Sequence, residues 1–262
     1  MNSKAAVLIT GASSGIGAVY ADRFAKRGHA LVLVARDRVR MEELAQRLRQ
    51  ENGVTVELLP ADLTDSDGLA RVEARLRDDS RIGILVNNAG TAAHGGFLDQ
   101  APDDVAQLIS LNTTALTRLA SAVAPRLARE GAGAIVNIGS VVGLAPELGM
   151  SVYGATKAFA LFLTQGLHVE LGPRGVYVQA VLPAATRTEI WAKSGRDVDS
   201  LPAVMEVGEL VDAALAGFDA RETITIPSLP KVEQWTSFEA ARKAMVPNFL
   251  QVHAAERYRQ GS

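Results

Sequence analysis

The sequence contains no cysteine. Disulfides, thiolate nucleophiles and cysteine-based metal sites are excluded outright. An excess of charge of either sign is also missing. The formal net charge is -2, so no global bias points to nucleic acid or acidic membranes as partners. Aromatic residues are sparse, at 5% of the chain. Apolar runs such as Ala30–Ala35 are far too short to span a bilayer. Few residues precede the first apolar strand pattern, so no signal peptide is expected and a cytoplasmic protein is the default. The four histidines, His29, His94, His168 and His253, show no ligand spacing, and no metal site is expected.

What is present is a chain of 262 residues, long for one domain but ordinary for a single α/β domain with a large core. Short apolar runs alternate with longer amphipathic segments. Ala5–Ile9, Ala30–Ala35, Val54–Leu59, Ile84–Asn87, Ala134–Ile138 and Val176–Leu182 read as strands. Most lack period-two alternation, as strands covered on both faces do. Arg38–Gln50, Val105–Arg129, Val152–Leu171 and Glu206–Phe218 read as helices, and Thr223–Pro227 as a last short strand. The alternation predicts an α/β fold: a single-domain, Rossmann-type doubly wound parallel sheet with helices on both faces. Residues 1–262 are expected to form that one domain, with 183–220 as a substrate lid region and 228–262 as a C-terminal extension whose aromatics suggest packing.

The first strand leads directly into Thr10-Gly11-Ala12-Ser13-Ser14-Gly15-Ile16-Gly17, and a helical segment follows. Strand, glycine turn and helix in that order suit a dinucleotide: a tight turn, backbone close to the pyrophosphate, and a helix N-terminus aimed at it. Thr10, Ser13 and Ser14 can donate hydrogen bonds to phosphate. The second strand ends Val34-Ala35-Arg36. An NAD site usually has an acidic side chain there for the ribose 2′-hydroxyl, and Ala35 cannot serve. Arg36 could pair with a 2′-phosphate, with help from Arg38 or Arg40, while Asp37 offers a rival carboxylate. Tyr153 and Lys157 lie one helical turn apart on one face. A neighbouring ammonium is expected to lower the tyrosine pKa from about 10 toward the working pH of an acid/base catalyst.

The spacing Thr10-Gly11-x3-Gly15-x-Gly17 resembles the cofactor motif of the short-chain dehydrogenases/reductases, and the resemblance runs through most of the chain. Asp62-Leu63 is similar to that family's adenine-contacting pair, and Asn87-Asn88-Ala89-Gly90 to its fourth-strand motif. Asn112, Ser140, Tyr153 and Lys157 stand in its catalytic order, and Pro183, Thr186 and Thr188 in its later Pro-Gly-x3-Thr element, with Ala184 replacing the glycine. The resemblance implies an oxidoreductase that takes NADP(H) in preference to NAD(H) and interconverts a carbonyl and an alcohol. It implies Tyr153 as general acid/base, Ser140 as hydrogen-bond partner of the substrate oxygen, Lys157 as holder of the nicotinamide ribose, and Asn112 as a water-positioning residue. A carbonyl reductase or alcohol dehydrogenase is the leading expectation. The rivals are a 3-oxoacyl thioester reductase on the same scaffold and a non-catalytic NADPH-binding regulator. His94, Val142, Leu144, Leu148, Met150, Ile190 and Trp191 are candidates for the substrate pocket, or equally for the packing of a lid. The resemblance also implies a homodimer or homotetramer, and Val152–Leu171 carries a surplus of apolar residues for it.

Overall fold

The structure is a computed structural model that describes residues 4–92, 95–193 and 197–259. Its elements follow in order. Strand β1 (Ala6–Thr10) leads to helix α1 (Gly15–Lys26), β2 (Leu31–Ala35) to α2 (Arg38–Asn52), and β3 (Val56–Pro60) to α3 (Ser66–Asp78). Strand β4 (Ile82–Asn87) precedes α4 (Pro102–Ile109) and α5 (Leu116–Glu130), which are joined by a π-helical stretch, Ser110–Ala115. Strand β5 (Ala134–Ile138) precedes α6 (Ser151–Leu171), and β6 (Tyr177–Val181) precedes the short α7 (Ile190–Lys193) and α8 (Val207–Asp219). Strand β7 (Ile224–Thr225) closes the sheet, and α9 (Val232–Ala244) follows.

The seven strands form one sheet in the order β3-β2-β1-β4-β5-β6-β7, and every pairing is parallel. The order reverses between β1 and β4, the place where open α/β sheets hold ligands beyond their strand ends. Strands β1, β2, β5 and β6 are buried along their whole length, which is why they show no alternation in sequence. Their side chains still alternate in space. Val7, Ile9, Leu31 and Leu33 pack on one face with Phe24, Met41, Leu48, Leu210 and Leu215. Leu8, Val32 and Val34 pack on the other with Leu69, Val72, Leu76, Leu119 and Val123. Those two apolar layers fix the sheet and hold the strand ends where the site is built.

The structure departs from the expected helices in two places. The helix expected over Val105–Arg129 is interrupted: α4 and α5 are separated by the π-helical stretch that carries Asn112. A further helix runs over Ser66–Asp78, where Leu69, Val72 and Leu76 make a buried stripe and Asp65 caps it by accepting from Gly68 N at 2.7 Å. Within 183–220, the region expected as a lid, α8 buries Leu210, Val211, Ala214 and Leu215 in the core.

Two compact units divide the chain, Met1–Pro227 and Ser228–Ser262. The first holds the whole sheet. In the second, Trp235 and Phe238 stack at 5.4 Å, but none of its described residues is buried, and Phe249 and Tyr258 are exposed. The packing expected of its aromatics is therefore limited to one ring pair among the described residues.

Candidate active site

Thr10 ends β1, and Gly11 turns the chain with φ +64°, a conformation that costs glycine nothing. Gly17, in the first turn of α1, sits so close to the Gly11 carbonyl and the Asn88 amide that a Cβ there would collide with both. Ser14 occupies the N-cap of α1 but makes no side-chain cap bond, and no acidic residue lies in the first turn. The helix start is thus bare backbone with no protein anion on it. That fits the pyrophosphate of a dinucleotide.

The Thr10 hydroxyl, expected as a donor to phosphate, is engaged within the protein. Its Oγ1 accepts from the amides of Asn88 and Ala89 at 2.9 Å each and donates to Val86 O at 3.3 Å. Asn88 Nδ2 returns bonds to Thr10 O at 2.9 Å and Gly11 O at 3.2 Å. Thr10 and Asn88 therefore clamp β1 to β4 at the point where strand order reverses. Ser13, Ser14, Gly15 and Ile16 make up the rest of the turn and helix start, with Ile16 packed against the core.

Beyond β2, Ala35 is buried and Arg36 is 68% exposed in its side chain, with Nη1 3.6 Å from Asp62 Oδ2. Asp62 Oδ1 accepts from Thr64 N at 2.9 Å and Thr64 Oγ1 at 2.7 Å. Burial pushes the Asp62 carboxyl up, but the Thr64 bonds and Arg36 outweigh it and hold the group below its ordinary value. Leu63 beside it is buried. Asp37, the rival carboxylate, caps α2 by accepting from Arg40 N at 3.0 Å. Arg36 thus stands exposed directly beyond β2, while the Asp37 carboxylate is turned to the start of α2.

The polar side chains of the catalytic order come together behind the turn. Ser140 follows β5 and starts a 3-10 turn, Val141–Gly143. Its Oγ accepts from Val142 N at 3.2 Å and donates to Pro183 O at 3.2 Å. Ser140 is thus a cap, and its hydroxyl lies near enough to the Tyr153 phenol to favour the ionised form of that phenol. A Cβ on Gly143 would meet Ala158 N at 2.6 Å, so the turn lies directly on the backbone of α6. That contact seats the Ser140 turn on the helix that carries Tyr153 and Lys157. Lys157 is buried, donates from Nζ to Ile138 O at 2.9 Å, and lies 5.5 Å from the Tyr153 ring centre. Asn112 is held on three sides. Its Oδ1 accepts from Thr91 N at 2.9 Å, and its Nδ2 donates to Thr91 O at 2.9 Å and Thr156 Oγ1 at 3.1 Å. Thr156 Oγ1 donates in turn to Tyr153 O at 2.8 Å. A Cβ on Gly90 would stand 3.3 Å from Asn112 Oδ1 and 3.6 Å from Lys157 Nζ, which places this end of β4 against the same cluster. Thr91 and Thr156 are participants that the sequence reading missed. The signal for Thr156 was available, since it sits between Tyr153 and Lys157 on one helix.

The expected lowering of the Tyr153 pKa is not what this environment does. Burial pushes the phenol up to about 12, and the nearby Ser140 hydroxyl offsets only part of that rise. Burial acts on Lys157 in the opposite direction and brings its ammonium down to about 8. Both shifts have one cause, because a poorly solvated pocket disfavours whichever form is charged.

The segment after β6 runs back over the glycine turn. Ala184 takes no left-handed backbone, since Arg221 is the one non-glycine residue with positive φ among those described. Thr186 bridges Met205, and its carbonyl accepts from Trp191 Nε1 at 2.7 Å and Thr188 Oγ1 at 3.4 Å. Trp191 therefore braces this segment. Val142, Leu144 and Met150 are half-buried around the Ser140 turn, Leu148 is 52% exposed, and Ile190 is half-buried. His94 lies outside the described residues.

A family model described as short chain dehydrogenase matches residues 5–199. Among solved structures, a short-chain dehydrogenase from Sphingobium yanoikuyae in complex with NADPH is 65% identical with a TM-score of 0.96, covering 97% of this chain and 100% of that one. The bulky-bulky ketone specific alcohol dehydrogenase from Comamonas testosteroni is 59% identical with a TM-score of 0.93, covering 99% of this chain and 100% of that one. The very-long-chain 3-oxoacyl-CoA reductase of Bos taurus is 34% identical over 188 residues, or 70% of this chain. The chain spans 60% of the length of that relative. With its glycine turn at the switch point of a parallel sheet and its Ser140, Tyr153 and Lys157 gathered behind that turn, the chain belongs to the short chain dehydrogenase family.

Proposed function

We propose that the protein is an NADP(H)-dependent oxidoreductase that interconverts a ketone or aldehyde and an alcohol, with Tyr153 as general acid/base. The observation that carries this reading is Tyr153 beside Ser140, with the buried Lys157 ammonium 5.5 Å from its ring centre and one turn away on the same helix. The bound dinucleotide supplies or accepts hydride. Everything else falls to the chain's own groups. The bare start of α1, with Ser13, Ser14, Gly15, Ile16 and Gly17, binds the pyrophosphate. Asp62 and Leu63 hold the adenine end, and Arg36 faces the 2′-phosphate. Ala89, Gly90, Lys157, Pro183, Thr186 and Thr188 hold the nicotinamide end. Ser140 orients the substrate oxygen by hydrogen bond. Tyr153 hands that oxygen a proton in reduction and takes one in oxidation. Asn112, fixed by Thr91 and Thr156, steadies the path by which Lys157 reaches solvent.

Burial keeps the Tyr153 phenol protonated and able to donate, while moving its pKa away from the working pH at which proton exchange is easiest. NADP specificity is supported by the cationic Arg36 beyond Ala35, by the use of Asp37 as a helix cap, and by the relative solved with NADPH. A ketone with two bulky groups as substrate is supported by the specificity of the Comamonas testosteroni relative and by the apolar Val142, Leu144, Leu148 and Met150 near Ser140. A second reading, reduction of a 3-oxoacyl thioester, is favoured by the curated relatives of that activity at 30–34% identity, well below the two ketone-linked and NADPH-linked structures. Exposed Phe159, Phe162 and Val169 on α6 support a homo-oligomer.

Tyr153→Phe tests the central claim. The variant should bind NADPH with nearly unchanged affinity, measured by cofactor fluorescence, and should lose at least ~100-fold in ketone reduction, in the range general acid catalysis supplies. Full activity in that variant refutes the mechanism.

A further inference from the structure

We infer that Arg40 and Glu189 form a latch across the glycine turn and that this ion pair slows the release of the dinucleotide. The inference rests on the cofactor site proposed above and adds two residues to it, neither of which touches the reacting atoms; both are positioning residues.

Glu189 directly follows Thr188, and a Cβ on Gly15 would lie 3.4 Å from the Thr188 methyl. The chain at 188–189 therefore passes over the turn itself. Arg40 approaches from the first turn of α2, on the far side. Its Nη1 reaches both carboxylate oxygens of Glu189, at 2.7 and 2.9 Å. The contact joins residues 149 positions apart in sequence, so it ties the post-β6 segment to a different layer of the fold. An open cavity of about 440 Å³ lies beside the turn, and Ser13, Ser14, Arg40, Arg47 and Glu189 are on its wall. The latch is at that wall.

The base of the same segment is separately anchored. Arg187 N donates to Met205 O at 3.0 Å, Met205 N to Ala185 O at 2.9 Å, and the Arg187 guanidinium pairs with Asp199 at 2.5 Å and Glu206 at 2.9 Å. With the base pinned, movement of the tip is what would uncover the turn. Among the described residues, Arg40–Glu189 is an ion pair that joins that tip to helix α2. Both partners are about half exposed, with side chains at 50% and 55%. Exposed pairs are weak and salt-sensitive, so this one is suited to a latch that opens in each turnover and unsuited to a permanent brace.

The test is the NADPH dissociation rate by stopped-flow fluorescence, run beside amide hydrogen exchange of residues 185–191 in the cofactor-free protein. Glu189→Gln and Arg40→Gln should each speed dissociation about threefold to fivefold; fivefold corresponds to roughly 1 kcal/mol at 1.4 kcal/mol per decade. Both should raise exchange in that segment. Raised salt should speed dissociation more in the wild type than in Glu189→Gln. Arg40→Lys keeps the charge and should restore slow release, which a purely structural role of the guanidinium would not. Faster exchange with unchanged dissociation overturns the latch, as does unchanged behaviour in both. A wild-type protein that binds no NADPH overturns the proposed cofactor instead, a result separable from either.

Discussion

At the residue scale, the site's character comes from burial acting on two groups of opposite type. Lys157 has an ammonium pKa near 8 in the folded chain against 10.5 when unperturbed. The unfolded chain then binds more protons than the folded one between those values, and stability rises as pH rises through that window. Below it the folded state carries the full cost of a buried cation, offset in part by the bond to Ile138 O. Lys157→Met should therefore stabilise the protein at pH 7 by roughly 1–3 kcal/mol while abolishing activity, and the gain should shrink toward pH 10. Thermal unfolding across pH reads both, and destabilisation at pH 7 would show the ammonium to be better paired than its surroundings indicate. Arg36 is the converse case, an exposed cation with a loose partner in Asp62 at 3.6 Å. Arg36→Ala should raise the KM for NADPH at least tenfold more than that for NADH, since the charge-assisted contact to phosphate is missing from one cofactor alone. Equal effects on the two would remove the 2′-phosphate assignment.

At the element scale, the decisive contact is the seat of the Ser140 turn on α6. Gly143 has no room for a side chain, because a methyl carbon placed on it would stand 2.6 Å from Ala158 N and 2.8 Å from Lys157 C. Gly143→Ala should lift the turn, draw Ser140 from Tyr153 and lower kcat by about tenfold or more, with NADPH affinity kept, because small misplacements of a reacting group are costly. Steady-state kinetics beside cofactor titration checks this; a fall in NADPH affinity alone would place the damage elsewhere. This element also shows why the sequence was readable only in part. The strands were legible because five consecutive apolar residues bounded by turns have few other readings. Tyr153 and Lys157 were legible because helical spacing alone puts them on one face. The π-helical stretch was not, since Ser110–Ala115 carries no proline or glycine to mark it. Its register depends on Asn112 meeting Thr91 and Thr156, contacts from two other parts of the chain. The pKa of Tyr153 was misjudged for a similar reason: spacing reports the neighbouring charge, but only the packed fold reports the lost solvent.

At the scale of the whole molecule, the two units differ in what holds them. The sheet-bearing unit buries two apolar layers, one on each face, and its strands pair continuously from β3 to β7. Residues 228–262 have no such core among those described, and helix α9 buries none of its residues. Apolar burial is the main favourable term in folding, so the first unit carries the stability of its own fold. A chain ending at Pro227 should therefore keep the far-UV circular dichroism expected of the α/β unit and unfold within a few degrees of the full protein, since deleted residues that bury little surface remove little free energy. The same chain separates two ways in which the extension could matter. If its exposed Phe249, Leu250 and Tyr258 meet a second copy, sedimentation will show a smaller assembly while NADPH still binds. Loss of the fold on truncation would instead mean that the sheet depends on the extension, against the burial that each unit shows by itself.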